Sequence, residues 1–371
     1  MSKQLKIVFA IPELDNGGPD QVFFEIINFL ALNTNHQFFL MTTKENGFYL
    51  KKLNKKIKII IIKRPFRIWS RYPVDAALIK TYEIKPDVVL TTLRMNLVFN
   101  FIYKFLPRKT KLITRIANDI SSNSEFLRKL SFKSYLGNLF SKSLISNTDM
   151  ILCQSRYMKK DLKKYINCKT KISHIYNPVP SKILPQKIKL KRSKSDPPIF
   201  ISVGRLEYQK GFDILIKSFQ KVLKVLPDAK LFIYGEGSQK SILKDLTIKL
   251  AVANNVVIKG FSNNISNELK NADLFLLASR FEGFSNALLE ALFLGIPVIT
   301  SNCPGANSEI IKKGINGYLA KNEDSSDLSE KIIKGVNHNW DRNQIQKDTK
   351  DLFSREKISF QYLKILVNIV T

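Results

Sequence analysis

Residues 281–290 read FEGFSNALLE and place two carboxylates, Glu282 and Glu290, with seven residues between them. Gly283 and Ser285 mark a turn into a helix, with Ser285 its candidate N-cap. Glu282 then falls in the loop ahead of the helix and Glu290 in its second turn. Backbone N–H groups at the start of such a helix have no intrahelical acceptor and can receive phosphate oxygens. Phosphates bound there would leave Glu290 near a ribose diol, and Glu282 facing whatever hangs from the far phosphate. Leu288, Leu289, Ala291 and Leu292 surround Glu290, so the helix is expected to be buried and the glutamate to have a partner. The plainer alternative is a Glu290 that faces solvent. Hydrolases that use two carboxylates place them on opposite sides of a glycosidic bond, whereas both acids here sit on one loop–helix element.

A second stretch, SVGRLEYQKGFDILIKSF (202–219), brings cations to a similar turn. A strand ends at Val203, Gly204 allows a tight turn, Arg205 follows, and Lys210-Gly211 precede a helix. Two cations and a glycine turn beside a helix N-terminus suit a diphosphate; the alternative is a pair of solvated loop charges. YGEG (234–237) ends another strand at paired glycines, Gly235 among them. KGF (259–261) could set backbone groups and Phe261 against a flat base. No Asp-x-Asp occurs in the chain, so no metal is expected to be required.

The elements that must carry these residues alternate between short apolar runs and helical spacing. Strands are expected at 5–11, 56–62, 87–92, 111–116 and 150–155, with a helix over 20–33. A segment rich in proline and cations, 178–198, interrupts the pattern and reads as a linker. Strands then recur at 199–206, 229–237, 255–261, 272–279 and 297–302. Helices are expected at 211–226 and 285–295, and an amphipathic one at 355–370. Alternation of this kind implies βαβ units, parallel sheets and an α/β class. Ligands in such folds bind beyond the carboxyl ends of the strands.

GRLEYQKG (204–211), together with LLASRFEGFSNALLEALFLGIPVITSNCPGANSEII (276–311), resembles the family 4 retaining glycosyltransferases of the GT-B fold. The glutamate pair matches that family's E-x7-E motif. NGGPDQVFFEIINFLA (16–31) looks like its first glycine loop and helix, YNPV (176–179) like its entry to the linker, and FSREKISFQYLKIL (353–366) like its last helix. The resemblance implies two doubly wound Rossmann-like domains facing across a cleft. These would be an acceptor domain of residues 1–177 joined by the C-terminal helix 355–371, and a nucleotide-sugar donor domain of residues 199–354. It further implies that Arg205 and Lys210 neutralise the departing diphosphate and that Glu290 holds the ribose. Glu282 would contact the donor sugar, while Phe284, Ser285, Asn286 and Ala287 line the phosphate and sugar. Gly17, Gly18, Gly204, Gly235 and Phe261 would complete the donor site. The expected reaction is a metal-free, front-face transfer of a hexosyl or N-acetylhexosaminyl group from a UDP- or GDP-sugar, which serves as co-substrate without a further cofactor. Many members carry a histidine near the donor sugar in the N-terminal domain. The matching loop here is TRIANDISS (114–122), and Arg115, Asn118 and Asp119 are the candidates to replace it.

Charge bears on the acceptor. The net charge is +29. Residues 1–196 hold 37 basic against 13 acidic residues, hence +24, and residues 197–371 hold 23 against 18, hence +5. A lysine-rich genome would load both halves alike, so the asymmetry points to a polyanionic partner. Aromatic and cationic residues interleave in KRPFRIWSRY (63–72), and apolar and cationic ones in 125–145, which suits an anionic membrane interface. A core helix with a lysine face is the alternative for 125–145. The acceptor is therefore expected to be a lipid-linked or cell-surface glycan, such as a lipopolysaccharide, O-antigen or capsule precursor. No apolar run is long enough to span a bilayer, the N-terminus reads as a strand rather than a signal peptide, and the three cysteines have no metal-type spacing. These features place the protein in the cytoplasm, at the inner face of the membrane. A nucleic-acid-binding protein and a sugar-nucleotide epimerase or similar enzyme are the competing readings. No RNA-recognition, zinc-finger or arginine-rich signature supports the former, and no nucleic-acid partner is expected.

Overall fold

The structure, a computed structural model, describes residues 3–15, 17–63, 73–117, 144–166, 170–181, 196–262 and 264–371. The stretches 64–72 and 118–143, with Asn118 and Asp119, and most of the expected linker lie outside the described residues. The chain forms two compact units. One comprises Met1–Pro180 with Phe353–Thr371, and the other Ser181–Leu352.

The first unit is built on seven parallel strands: β1 (Lys6–Ala10), β2 (Gln37–Thr42), β3 (Lys58–Ile61), β4 (Val88–Thr92), β5 (Lys111–Arg115), β6 (Met150–Cys153) and β7 (Lys171–His174). Their order is β3-β2-β1-β4-β5-β6-β7. Central strands such as KIVFA and VVLTT are buried on both faces, as near-continuous apolar runs require. Helix Gly18–Asn33 and the C-terminal helix Arg355–Asn368 lie in one core with Ile7, Phe9 and Leu90. The opposite face of the sheet carries Val8, Ala10 and Val89, packed with helices Val74–Ile84 and Met95–Ile102. Strands β2 and β7 are additional to those expected. KISH is a four-residue strand with a single apolar residue among polar ones, too short to show a period.

The C-terminal helix is bound into this unit at several points. Val179 N–H donates to the Phe353 carbonyl at 2.9 Å. Phe360 meets Phe29 edge-on at 5.3 Å, and Ile358, Tyr362 and Leu366 are buried at helical spacing. At the centre lies Arg115, fully buried at the end of β5. Its Nε donates to Tyr362 Oη at 3.0 Å and its Nη2 to Asn177 Oδ1 at 2.9 Å. With the Gln154 amide turned so that its oxygen faces the guanidinium, that oxygen accepts from Nη1 and Nη2. Arg115 therefore does not stand open to sugar or acceptor as expected from its loop. Its donors are spent on neutral groups of the core.

The second unit has six parallel strands: β8 (Ile199–Val203), β9 (Lys230–Tyr234), β10 (Val256–Gly260), β11 (Leu274–Leu277), β12 (Val298–Ser301) and β13 (Gly317–Ala320). Their order is β10-β9-β8-β11-β12-β13. Strand β13 is again additional to those expected. Helices Phe212–Val222 and Ser325–Val336 pack together over the core of Leu231, Leu276 and Ile299.

Replacing Tyr362 with Phe removes the only acceptor of the buried Arg115 Nε–H among the described residues. Leaving such a donor unpaired costs about 1–3 kcal/mol. A urea titration of the full chain should show the unfolding transition of the first unit at a lower midpoint, and an unmoved midpoint would mean that this bond contributes nothing.

Candidate active site

The carboxyl ends of β8, β9, β11 and β12 bring the candidate residues of the second unit together. The loops after β8 and β9 are joined by backbone bonds. Gly204 N–H donates to the Tyr234 carbonyl at 3.0 Å, Gly235 N–H to Gly260 at 2.8 Å, and Leu206 N–H to Glu236 at 2.9 Å. Gly235 has φ +148°, and a Cβ there would lie 1.8 Å from the Gly204 carbonyl oxygen. Only glycine permits this conformation together with so close an approach. The Glu207 carboxylate accepts from the hydroxyl and N–H of Ser238 at 2.7 and 2.9 Å, which holds it below the usual carboxylate range. Arg205 leaves this turn exposed, with no side-chain bond to any described residue. Phe261, at the exit of β10, is 61% exposed.

The short helical turn Tyr208–Lys210 is fastened to the loop after β11. Arg280 N–H donates to the Gln209 carbonyl at 2.8 Å, and Gln209 Nε2 to the Phe281 carbonyl at 3.0 Å. The Arg280 guanidinium binds Asp213 through both nitrogens at 2.9 and 2.8 Å, reaches Glu323 at 3.1 Å and stacks 4.0 Å over the Tyr208 ring. Burial alone would raise the Asp213 carboxyl, yet the bonds and charge of Arg280 hold it below its usual range. Arg280 was not among the sequence candidates. The signal was a lone cation inside the apolar run LLASRFEGF.

Lys210 and Glu282 meet as a consequence. Lys210 Nζ donates to Glu282 Oε1 at 2.5 Å, with side-chain exposures of 16% and 5%. The hydroxyl of Ser279 donates to the same oxygen at 2.7 Å. Oε2 has no partner among the described residues. Behind them, Ser301 Oγ donates to the Ser279 carbonyl at 2.5 Å, and Asn307 Nδ2 donates to the Ser301 carbonyl at 3.2 Å and to Thr300 Oγ1 at 3.0 Å. Glu282 N–H donates to the Pro304 carbonyl at 2.8 Å. Gly305, with φ +134°, brings its Cα so close that a Cβ would lie 2.0 Å from the Glu282 carbonyl oxygen. Burial, with Glu282 nearby, pushes the Cys303 thiol up to about 12.

Helix Asn286–Phe293 starts four residues after Glu282, and the Ser285 hydroxyl accepts from Leu288 N–H at 3.4 Å as its cap. Asn286 and Ala287, half-buried, open the helix, while Phe284 is buried. Glu290 is 6% exposed among buried Leu288, Leu289, Ala291 and Leu292, so it does not face bulk solvent. Gly17 and Gly18 lie in the first unit, at the start of its first helix. The N–H groups of Asp15 and Gly17 there donate to Asp20 Oδ2 at 3.0 and 3.3 Å, and burial raises the Asp20 carboxyl. Among the described residues no cluster of three or more His, Cys, Asp or Glu is arranged for a metal.

Arg205, Lys210, Glu282 and the capped start of helix Asn286–Phe293 thus gather at the carboxyl ends of a parallel sheet, where α/β proteins bind their ligands. Residues 16–182 match the family described as Glycosyltransferase Family 4, and residues 185–352 match the glycosyl transferases group 1. The chain belongs to this family of glycosyltransferases. It is 32% identical over 273 residues to an uncharacterized glycosyltransferase of Methanocaldococcus jannaschii, a match spanning 68% of this chain and 64% of that protein. The chain thus spans less than two thirds of that relative's length. It is 24% identical, over 97% of both chains, to the N-acetylgalactosamine-N,N'-diacetylbacillosaminyl-diphospho-undecaprenol 4-alpha-N-acetylgalactosaminyltransferase of Campylobacter jejuni. Among solved structures, Anabaena HepE in complex with UDP-glucose superposes with a TM-score of 0.79 at 16% identity, covering 98% of this chain and 100% of that one. The two sheets are those of GT-B glycosyltransferases.

Ser279→Ala removes one of the two donors to Glu282 Oε1. A hydrogen bond to a charged group contributes about 1.5–3 kcal/mol, so turnover should fall roughly 10- to 150-fold. Ser279→Thr, which keeps the hydroxyl, should restore most of it. Equal rates for the Ala and Thr variants would deny Ser279 any part in holding Glu282. Gly235→Ala should lower stability by at least about 2 kcal/mol through backbone strain, read as a fall in melting temperature.

Proposed function

We propose that this protein is a retaining hexosyl- or N-acetylhexosaminyltransferase using a UDP- or GDP-sugar. The observation that carries the reading is the Glu282 carboxylate, with Oε1 held by Lys210 and Ser279 and Oε2 unpartnered among the described residues, beside the capped start of helix Asn286–Phe293. Oε2 accepts a hydroxyl of the donor sugar. The diphosphate lies against the first N–H groups of the helix, with Arg205 and Lys210 supplying positive charge. Glu290 accepts from the ribose hydroxyls, and Gly204, Gly235 and Phe261 border the nucleotide.

In the proposed reaction the bond between the anomeric carbon and the diphosphate oxygen breaks, and the acceptor hydroxyl oxygen bonds to that carbon on the same face. The acceptor proton passes to the departing diphosphate oxygen. The protein contributes positioning and charge at the leaving group, without a metal. The acceptor is a lipid-linked or cell-surface glycan. Support comes from the full-length likeness to the Campylobacter enzyme, whose name carries a diphospho-undecaprenol acceptor. It comes also from the +24 of residues 1–196. The protein works in the cytoplasm, held peripherally to the anionic inner face of the membrane by its basic first unit. Among the described residues no helix is long and apolar enough to cross a membrane.

A thermal-shift panel of UDP, GDP, CMP and UDP- and GDP-sugars, run with EDTA, tests the donor reading. Binding to the folded state raises the melting temperature by mass action, so one base should give a clear shift, and no shift with any would sink the metal-free donor site. Glu282→Ala should cripple turnover while nucleotide binding persists. Glu290→Ala should weaken nucleotide affinity in calorimetry by about tenfold or more, the loss of one or two hydrogen bonds.

A further inference from the structure

Two neighbouring helices of the first unit turn large apolar side chains to solvent. On helix Val74–Ile84, Ala77 and Thr81 are buried while Ile79 and Tyr82 are 56% and 51% exposed. Along Met95–Ile102 and the turn Tyr103–Phe105, the buried Val98, Phe99 and Ile102 face the core, while Phe101 and Phe105 are 55% and 63% exposed. The spacings, three in one helix and four in the other, put each pair on one side of its element. The hydroxyl of Tyr82 donates to the Phe105 carbonyl at 3.1 Å, which joins one residue of each pair. A face of this kind is unusual on a soluble surface and marks an interaction site.

The cations beside it outnumber the acids. Lys104, Arg108 and Lys109 are exposed and have no hydrogen-bond or ion-pair partner among the described residues. Of the acids on the two helices, Glu83 is occupied by Lys80 at 2.7 Å, which leaves Asp75 at the first turn. A second copy of the same face would oppose cation to cation. Aromatic rings that enter an interface, with flanking cations that meet anionic headgroups, fit a lipid surface.

We infer that Ile79, Tyr82, Phe101 and Phe105, with Lys104, Arg108 and Lys109, form the face by which this protein docks on an anionic phospholipid bilayer. This deepens the reading above, on which it rests for the presence of a membrane-borne acceptor, and assigns the docking to described residues. Tyr82 and the two phenylalanines seat at the headgroup boundary, and the three cations hold lipid phosphates. The chain lies on the bilayer without crossing it.

The full chain, without nucleotide, is sedimented with vesicles of phosphatidylcholine alone and of phosphatidylcholine with about 30 mol% phosphatidylglycerol, which supply the anionic surface that basic segments recognise. The wild type should bind the anionic vesicles and release as NaCl is raised, because surface charge is screened. Phe101→Ser with Phe105→Ser should lower the partition coefficient about tenfold or more, as should Lys104→Ala with Arg108→Ala and Lys109→Ala. Both sites are exposed, so melting temperatures should be kept. Wild type that binds neither vesicle, or a Phe101/Phe105 variant that binds as well as wild type, overturns the inference. So does a wild-type dimer that the double serine variant abolishes, which would give the face to a second copy. A chain that binds vesicles but no nucleotide sugar would refute the transferase reading and leave this one standing, and the reverse result would do the opposite.

Discussion

The buried contact between Lys210 and Glu282 is the constraint on which the rest of the second unit depends. A carboxylate taken out of water is stable only when its charge is met and its lone pairs are filled. Glu282 meets that demand on one oxygen alone, through Lys210 and Ser279. Each neighbour is in turn held by others. Lys210 sits on a turn bonded to the loop of Arg280, and Arg280 is fixed by Asp213 and Tyr208. Ser279 is fixed by Ser301, and Ser301 by Asn307. Residues from the ends of β8, β11 and β12 therefore converge on one side chain. A site of this kind is pre-organised, because its groups are locked before any ligand arrives.

The first unit is organised around a different buried charge. Arg115 has neutral partners only, and they come from β4, from the residue after β6, from the segment after β7 and from the C-terminal helix. A guanidinium distributes five donors in a plane, and here they tie four chain segments together beside the hydrophobic core. The same helix is also held at its start, where Arg355 approaches Glu25 at 3.6 Å and lies over the Phe29 ring. The two units thus use buried cations in opposite ways. In one the cation serves the site, in the other it closes the fold.

The surface of the first unit carries the chain's charge imbalance outward. Cations without carboxylate partners there do not add to stability, since isolated surface charges contribute little and like charges repel. Their place beside outward-turned aromatic rings gives them a use in recognition. In the readings proposed above, site chemistry and surface chemistry are divided between the units, with hydroxyl and phosphate recognition assigned to one and lipid recognition to the other.

Much of this was legible in the residue order. Runs such as KIVFA and LFIY, alternating with helical spacing, specify parallel α/β layers because a strand buried on both faces must be apolar throughout. The turn chemistry of Gly204, Gly235 and Ser285 is local, so it reads from a few residues. The E-x7-E spacing likewise set Glu282 in a loop and Glu290 in a buried helix. Short strands with few apolar residues, KISH among them, are not legible, since their neighbours rather than their own period make them strands. Arg115 was read as a ligand contact from its loop, but its decisive partner, Tyr362, lies 247 residues away. Lys210 and Glu282 are 72 residues apart, and so are the Tyr208 carbonyl and Arg280. Sequence alone determined which elements form and which residue types stand at their ends, because those depend on neighbours along the chain. Only the tertiary structure decided which cation pairs with which carboxylate and which is spent on the core, because charge and burial depend on distance in space.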